Sequence, residues 1–411
     1  PQYDPIHLAA SGELNVLVRL TAPGQITRER PPLDLAIVLD RSGSMAGDKL
    51  RDAKQAALDL LKQLEPRDRV TLITYDDTVL VHEVRRLLDP PGVDALRGAL
   101  LKVTEGGSTA LGPALSKALE LLEPAERGER DIAHVILLSD GMANVGETRP
   151  EVLGVRTADG FSRGVSVSTL GVGLDYNEDL MTRLADQGGG RYHFIKNSDN
   201  IPSVLTEELA GLSATVARGL VLHITPDAGN GVHQVFGYPT APVGGRTEVR
   251  IGTLRTGQTR DIIVRLSLGP TQGASASLAT FDLRLRDVTA EGEVRETSLP
   301  LAVRVSGDPQ EVSRLERTEV TVRVAEVESA DEVDRAARAV EQGNYDDAKK
   351  ILATSLEKVK LQSSKTPSDR MQTQLKELEQ AVEDVEKART NTTEQKSFTK
   401  MQKSKSYQLK K

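Results

Sequence analysis

Asp40-Arg41-Ser42-Gly43-Ser44 sets one carboxylate and two hydroxyls at alternate positions, directly after the apolar run Leu35-Ala36-Ile37-Val38-Leu39. Oxygen donors at that spacing, where a buried strand opens into a loop, suit a hard divalent cation. The same residues are ordinary turn formers, and Ser44 reads equally as the cap of a following helix. Two further segments strengthen the metal reading. Gly106-Gly107-Ser108-Thr109 precedes a helical pattern carrying Leu111 and Leu115, and Ser139-Asp140-Gly141 follows the run His134-Val135-Ile136-Leu137-Leu138. If the apolar runs are parallel strands, the three loops meet at the strands' carboxyl ends, the usual ligand crevice of an open α/β sheet. Two carboxylates and three hydroxyls then converge on one point.

The elements that must position these loops are legible as period changes. Strands are expected over 35–39, 69–75, 80–86, 134–139, 165–171 and 191–195, alternating with helices. Leu50, Ala53, Ala57, Leu60, Leu61 and Leu64 recur at helical spacing, as do Leu111, Leu115, Ala118, Leu119 and Leu122, with Pro113 tolerated in the first turn. Unbroken apolar strands imply helices on both faces, so residues 33–217 read as a doubly wound, mostly parallel, Rossmann-like α/β domain.

Beyond Gly219 the period becomes two, in segments 221–224, 248–251, 262–268, 277–285 and 299–305 separated by Gly-rich turns. Residues 218–307 therefore read as a β-sandwich or barrel. Residues 14–20 share that texture, so the segment 1–32 is expected to lend a strand to this β domain, with the α/β domain inserted into it. An independent edge strand on the α/β sheet is the alternative. After Gly307-Asp308-Pro309 the chain turns helical and charged. Residues 336–352 resemble one tetratricopeptide-type helix pair, but one repeat cannot form a groove, and a hairpin packed on a neighbour is expected. A third helix over about 369–388 carries Leu375, Leu378, Val382 and Val385, completing a helical bundle over 308–390 or a coiled-coil contact. The lysine-rich stretch 391–411 reads as a solvated, flexible tail.

Composition excludes several classes. With 411 residues, net charge -7 and 38% hydrophobic residues, the chain can fill more than one core. No cysteine is present and the six histidines are scattered, so disulfides and thiolate or zinc-type sites are excluded and a metal must be held by oxygens. The mild acidity argues against nucleic acid as a partner. No apolar run reaches the ~20 residues of a membrane helix. Pro1-Gln2-Tyr3-Asp4 lacks both parts of a signal peptide, so a cytoplasmic location is expected, although a preceding leader would be invisible.

With all three loop segments present in order, residues 33–217 resemble the von Willebrand factor type A family, and the loops resemble its metal-ion-dependent adhesion site. The resemblance implies that Asp40, Ser42, Ser44, Thr109 and Asp140 surround a Mg²⁺ ion, or Mn²⁺ or Ca²⁺ in its place. Ser42 and Ser44 would coordinate directly, and Thr109 and the carboxylates directly or through water. Ser108 is the rival for the Thr109 position. The flanking layout is similar to bacterial multidomain relatives in which a β domain and helices follow.

Such a site leaves a position open, and a Glu or Asp side chain of a partner protein is its natural further ligand. The expected function is metal-dependent protein–protein interaction, of adhesion or scaffold type, with Met45 and Asn144 shaping the contact. Movement of the last helix, around 201–217, would link the metal site to the β domain. Two alternatives stay open: a structural ion that pins three loops in an assembly protein, and a metal-dependent hydrolase. The hydrolase needs further acids near the ion. Asp48 instead reads as a helix-turn carboxylate and Asp76-Asp77 as a hairpin turn. Gly188-Gly189-Gly190 lacks the Lys-Ser/Thr of a nucleotide loop, and His134 reads as structural.

Overall fold

The computed structural model describes residues 6–8, 12–25, 29–123, 128–270 and 274–411. Pro1-Gln2-Tyr3-Asp4 lies outside them. Two short strands come first, β1 (Ile6–Leu8) and β2 (Gly12–Thr21). The α/β unit follows as β3 (Leu33–Asp40), α1 (Asp48–Leu61), β4 (Arg69–Tyr75), β5 (Val79–Leu87), α2 (Pro90–Lys102), α3 (Leu111–Leu121), β6 (Ile132–Ser139), α4 (Pro150–Ser162), β7 (Val165–Val172), α5 (Glu178–Gln187), β8 (Gly189–Ile195) and α6 (Ile201–Ser213). Seven more strands are β9 (Thr215–Pro226), β10 (Gly231–Val235), β11 (Thr240–Val243), β12 (Arg246–Arg255), β13 (Thr259–Leu268), β14 (Ser275–Asp287) and β15 (Glu293–Ser306). The helices α7 (Pro309–Arg314), α8 (Thr318–Glu341), α9 (Tyr345–Lys365), α10 (Asp369–Ala388) and α11 (Thr392–Lys410) close the chain.

The α/β sheet has the order β5-β4-β3-β6-β7-β8, all parallel except the edge hairpin β4–β5. Alternate residues of β3 feed different cores. Leu33, Leu35, Ile37 and Leu39 pack with α1, α2 and α6 on one face, while Ala36 and Val38 pack with α3, α4 and α5 on the other. Helices on both faces are what a strand buried along its whole length requires. All six expected strands of this unit are present.

Residues before and after the α/β unit pair with each other. β2 lies antiparallel to β13 over its full length, from Gly12 opposite Leu268 to Thr21 opposite Thr259. The Arg19 guanidinium clasps Asp261 across that pair with two hydrogen bonds of 2.7 Å. β10, β13 and β2 form a three-stranded sheet, and β1-β15-β14-β9-β12-β11 a six-stranded one, antiparallel but for β1 against β15. One apolar cluster joins the two sheets, with Leu14, Ile262 and Val264 meeting Leu222, Val249 and Phe281.

The C-terminal helices form the expected hairpin packed on neighbours, and depart from the rest of the reading in two ways. First, α8 and α9 together span residues 318–365, longer than the ~34 residues of a tetratricopeptide repeat. They pack with α10 and α11 in a bundle, and α8 also lays Val320, Val324 and Val327 on Ile263 of β13 and on Phe236, which follows β10. Second, 391–411 is not a flexible tail. It is the helix α11, with Phe398 in the bundle core, and most of its lysines are anchored. Lys400 Nζ donates to the Tyr176 carbonyl at 2.8 Å and sits 4.0 Å from the Tyr176 ring centroid. Lys403 reaches Glu341 at 3.0 Å and Asp179 at 3.3 Å. Buried aliphatic stems and paired ammonium heads let a polar helix dock where its few apolar residues would not suffice. No helix among the described residues is long and apolar enough to cross a membrane.

The α/β unit touches the sheets through two glycines. Gly252 has φ +98°, and a Cβ there would fall 2.2 Å from the Gly189 carbonyl oxygen; Gly189 itself has φ +65°. Gly252→Ala therefore combines a left-handed backbone with a clash against main chain, and is expected to lower stability by roughly 1–3 kcal/mol. An unchanged thermal midpoint by calorimetry would count against this close approach. Under α11, Glu178 accepts the Tyr192 hydroxyl at 2.8 Å. Burial, opposed by the Lys400 charge, lifts its pKa from 4.5 to about 7. The folded state thus favours the protonated acid, so this contribution is complete below pH 4.5 and is lost as pH rises through about 7. Relative to Glu178→Gln, the wild type should lose on the order of 3 kcal/mol between pH 4.5 and 8. Parallel denaturation curves for the two proteins over that range would contradict it.

Candidate metal centre

β3 ends at Asp40, and a single turn at Gly43–Met45 carries the chain into α1. The Asp40 carboxylate accepts the Ser42 N–H at 2.9 Å with one oxygen and the Ser139 hydroxyl at 2.7 Å with the other. Ser42 Oγ lies 3.1 Å from Ser44 Oγ, and Ser44 Oγ donates to Asp140 at 2.7 Å. Thr109 is buried beside the same group. A Cβ on Gly141 would sit 3.2 Å from Ser44 Oγ and 3.4 Å from Thr109 Oγ1, so these two hydroxyls flank that glycine. The three loops expected to converge do so, bringing Asp40, Ser42, Ser44, Thr109 and Asp140 to one place.

Main-chain bonds hold the loops together. Gly43 N–H donates to the Gly107 carbonyl at 2.9 Å and Gly106 N–H to the Arg41 carbonyl at 2.7 Å. Arg41 anchors the same junction, with its guanidinium 2.5 Å from Asp76 and 3.2 Å from the Thr104 carbonyl. Asp77 accepts the Ser108 N–H at 2.9 Å. The two acids read from sequence as turn residues thus serve the loops, and Ser108 is held there by its amide.

The two further residues expected to shape a partner contact have different fates. Asn144 is exposed at the crest, but its side-chain carbonyl accepts the Thr109 N–H at 2.8 Å and its own N–H donates back to Thr109 at 3.1 Å. It positions Thr109. Met45 is fully buried, in the core cluster with Leu39 and Leu50, because the turn after Ser44 rotates it inward. The expectation that Met45 meets a partner is corrected; Met142, 54% exposed, is the methionine at the surface of this crest.

Electrostatics favour a cation here. Asp40 and Asp140 are both wholly buried. Burial foremost, and also the Asp140 charge, raise the Asp40 pKa above the ordinary carboxylate range even though Ser42 and Ser139 donate to it. Lys49, in the first turn of α1, donates to Asp140 and to the Ser44 carbonyl, the latter at 3.3 Å. Sequence reading missed this lysine; its signal is a basic residue five positions after Ser44, at the start of a helix that opens beside two acids. Among the described residues no group of three or more His, Cys, Asp or Glu side chains is arranged to hold a metal. The donor set here is instead two carboxylates and three hydroxyls, an all-oxygen set that fits a hard divalent ion.

Residues 34–207 match the family model described as von Willebrand factor type A domain. An uncharacterized protein of Synechocystis is 28% identical over 317 residues, covering 72% of each chain. The human inter-alpha-trypsin inhibitor heavy chain H4 is 28% identical over 211 residues, 48% of this chain and 22% of that protein. The chain thus spans under a quarter of the length of that human relative. Among solved structures, a von Willebrand factor type A protein from Catenulispora acidiphila superposes with TM-score 0.76 at 18% identity, over 94% of this chain and 88% of that one. The ArnB paralog VWA2 from Sulfolobus acidocaldarius gives 0.64 at 17% identity, over 98% and 96%. At these identities the likeness is one of fold, and it extends through the antiparallel sheets and the terminal helices. The residues that build the centre thus lie within the stretch that matches the von Willebrand factor type A domain.

Proposed function

We propose that this protein is a metal-dependent protein-binding module whose centre is a metal-ion-dependent adhesion site. Ser42, Ser44, Thr109, Asp40 and Asp140 would hold the ion, Mg²⁺ in the first instance, directly or through water. The ion supplies an electrophilic position at the crest that a partner's Glu or Asp carboxylate completes. The single observation that carries the reading is the convergence of two fully buried carboxylates with Ser44 and Thr109 at the carboxyl ends of adjacent parallel strands. Neutral hydroxyls in that set leave the cation able to attract a further anion. We read the flanking sheets as a sandwich into which the α/β domain is inserted, on the pairing of β2 with β13. Because α6 runs straight into β9, a change at the crest that moved α6 would reach the sheets.

Binding is favoured over hydrolysis by the surroundings of the two acids. The other nearby carboxylates are occupied: Asp76 by Arg41 and Thr78, and Asp77 by the Ser108 amide. A second metal would lack carboxylates of its own.

Mn²⁺ or Mg²⁺ at a hundred times its dissociation constant should stabilise the native protein by about 2.7 kcal/mol, read as a rise in thermal midpoint. Asp140→Ala should abolish the rise; the same rise in the variant would place the ion elsewhere. For partner recognition, pull-downs from lysate should retain an acidic-surfaced protein with Mg²⁺ and lose it with chelator and in Asp140→Ala. Equal retention under all three conditions overturns the reading.

A further inference from the structure

Three units of the chain meet around a cavity of about 190 Å³ far from the metal centre. β8 and the end of α5 form one wall, β12 and the start of β13 another, and the end of α11 the third. The lining carries Arg191, Arg250, Arg255, Arg260, Lys411 and His193. Three of these cations have a carboxylate at 2.9 Å: Arg191 has Glu207, Arg250 has Glu248 and Lys411 has Asp186. Two are poorly matched. The carboxylate nearest Arg255 is Glu208 at 3.7 Å, which already accepts Ser168 at 2.6 Å and lies 3.1 Å from His193. Among the described residues Arg260 has the Ile251 carbonyl, at 2.6 Å, and no carboxylate within ion-pair distance. Five permanent cations therefore face four carboxylates, one of them shared.

The mismatch is felt where burial makes it costly. Burial lowers the pKa of Arg255, and the charges of Arg191 and Arg260 push it the same way against Glu208. Its guanidinium is also fixed in place. It lies on α6 so closely that a Cβ at Gly211 would fall 2.0 Å from Arg255 Cζ. Clustered, immobilised guanidiniums in a recess are preorganised for a tetrahedral or planar oxyanion, which they grip bidentately. Size narrows the class. At ~30 Å³ per water the cavity holds roughly six waters, short of the ~300 Å³ at which pockets for larger organic ligands begin. Phosphate or pyrophosphate is within that size.

We propose that the cavity binds a small phosphate-type anion, free phosphate or pyrophosphate, through Arg255 and Arg260. The bound anion ties the α/β unit, the antiparallel sheets and the terminal helix at a junction the three share. The site lies toward the amino-terminal end of β8, opposite the strand ends that bear Asp40 and Asp140, so it stands independently of the metal centre.

Titration calorimetry on the full chain, without divalent metal and at ionic strength fixed with sodium chloride, tests this with phosphate and with pyrophosphate. One saturable site is expected for at least one anion, with a matching rise in thermal midpoint, and the tighter anion identifies the ligand. Arg260→Gln and Arg255→Gln should each weaken it at least tenfold. Arg255 packs against α6 and its loss can perturb folding. Arg260→Gln removes no carboxylate pair, only the hydrogen bond to the Ile251 carbonyl, and should still unfold in one cooperative transition without anion. No saturable binding of either anion, or wild-type affinity in Arg260→Gln, overturns the proposal.

Discussion

Asp40 and Asp140 sit without solvent exposure at the ends of neighbouring parallel strands, and the rest of the α/β unit can be understood as what that arrangement demands. An uncompensated buried carboxylate is strongly unfavourable, and a second beside it adds repulsion. Compensation comes from short range: the Ser42 amide, the Ser139 and Ser44 hydroxyls, and the Lys49 ammonium. None of these donors could hold its position on a loop free to move. The loops are therefore bonded to one another through Gly43, Gly107, Gly106 and Arg41, and the strands beneath are locked by apolar layers on both faces.

The other two units are attached by different physics. The antiparallel sheets approach the α/β unit main chain to main chain at Gly189 and Gly252, a contact no side chain could accommodate. The terminal helix attaches through polar groups used at both ends. Tyr407 meets the Tyr192 ring edge-on at 5.6 Å, and Lys410 and Lys411 pair with Asp331 and Asp186. Ser406 donates to the Ala330 carbonyl at 2.6 Å within the bundle. Charge complementarity with acidic α5 and α8 replaces the apolar stripe that usually docks a helix.

These differences explain what was legible in the sequence. β3 and β6 are buried along their whole length and announce themselves as near-continuous apolar runs, while the similarly buried β4 and β7 intersperse Thr and Ser among Val, Ile and Leu. The metal centre follows from loops placed at the ends of such runs. In α11 every buried position but Phe398 is polar, Ser397, Lys400, Gln402, Lys403 and Ser406 among them, and such residues read as solvated in any scheme that equates burial with apolarity. Met45 misled for the opposite reason: its inward direction is set by one turn of backbone between Ser44 and α1, which residue type does not encode. The arginine cavity was illegible because its residues come from β8, β12, β13 and the chain's last helix, and only the tertiary arrangement assembles them.

The pairing of β2 with β13 also governs the order in which the molecule can be made. Arg19 and Asp261 are 242 residues apart in sequence, yet they clasp one another in the finished sheet. During synthesis the α/β unit has all its own strands well before β13 emerges, so it can fold while β2 waits without a partner. Contacts of such long sequence separation form slowly. For that interval an apolar strand with open edges is exposed, the condition under which strands pair with the wrong chain. Glu13 and Arg19 on β2 put a charge near each end of the waiting strand. Charges at such positions disfavour pairing with another chain.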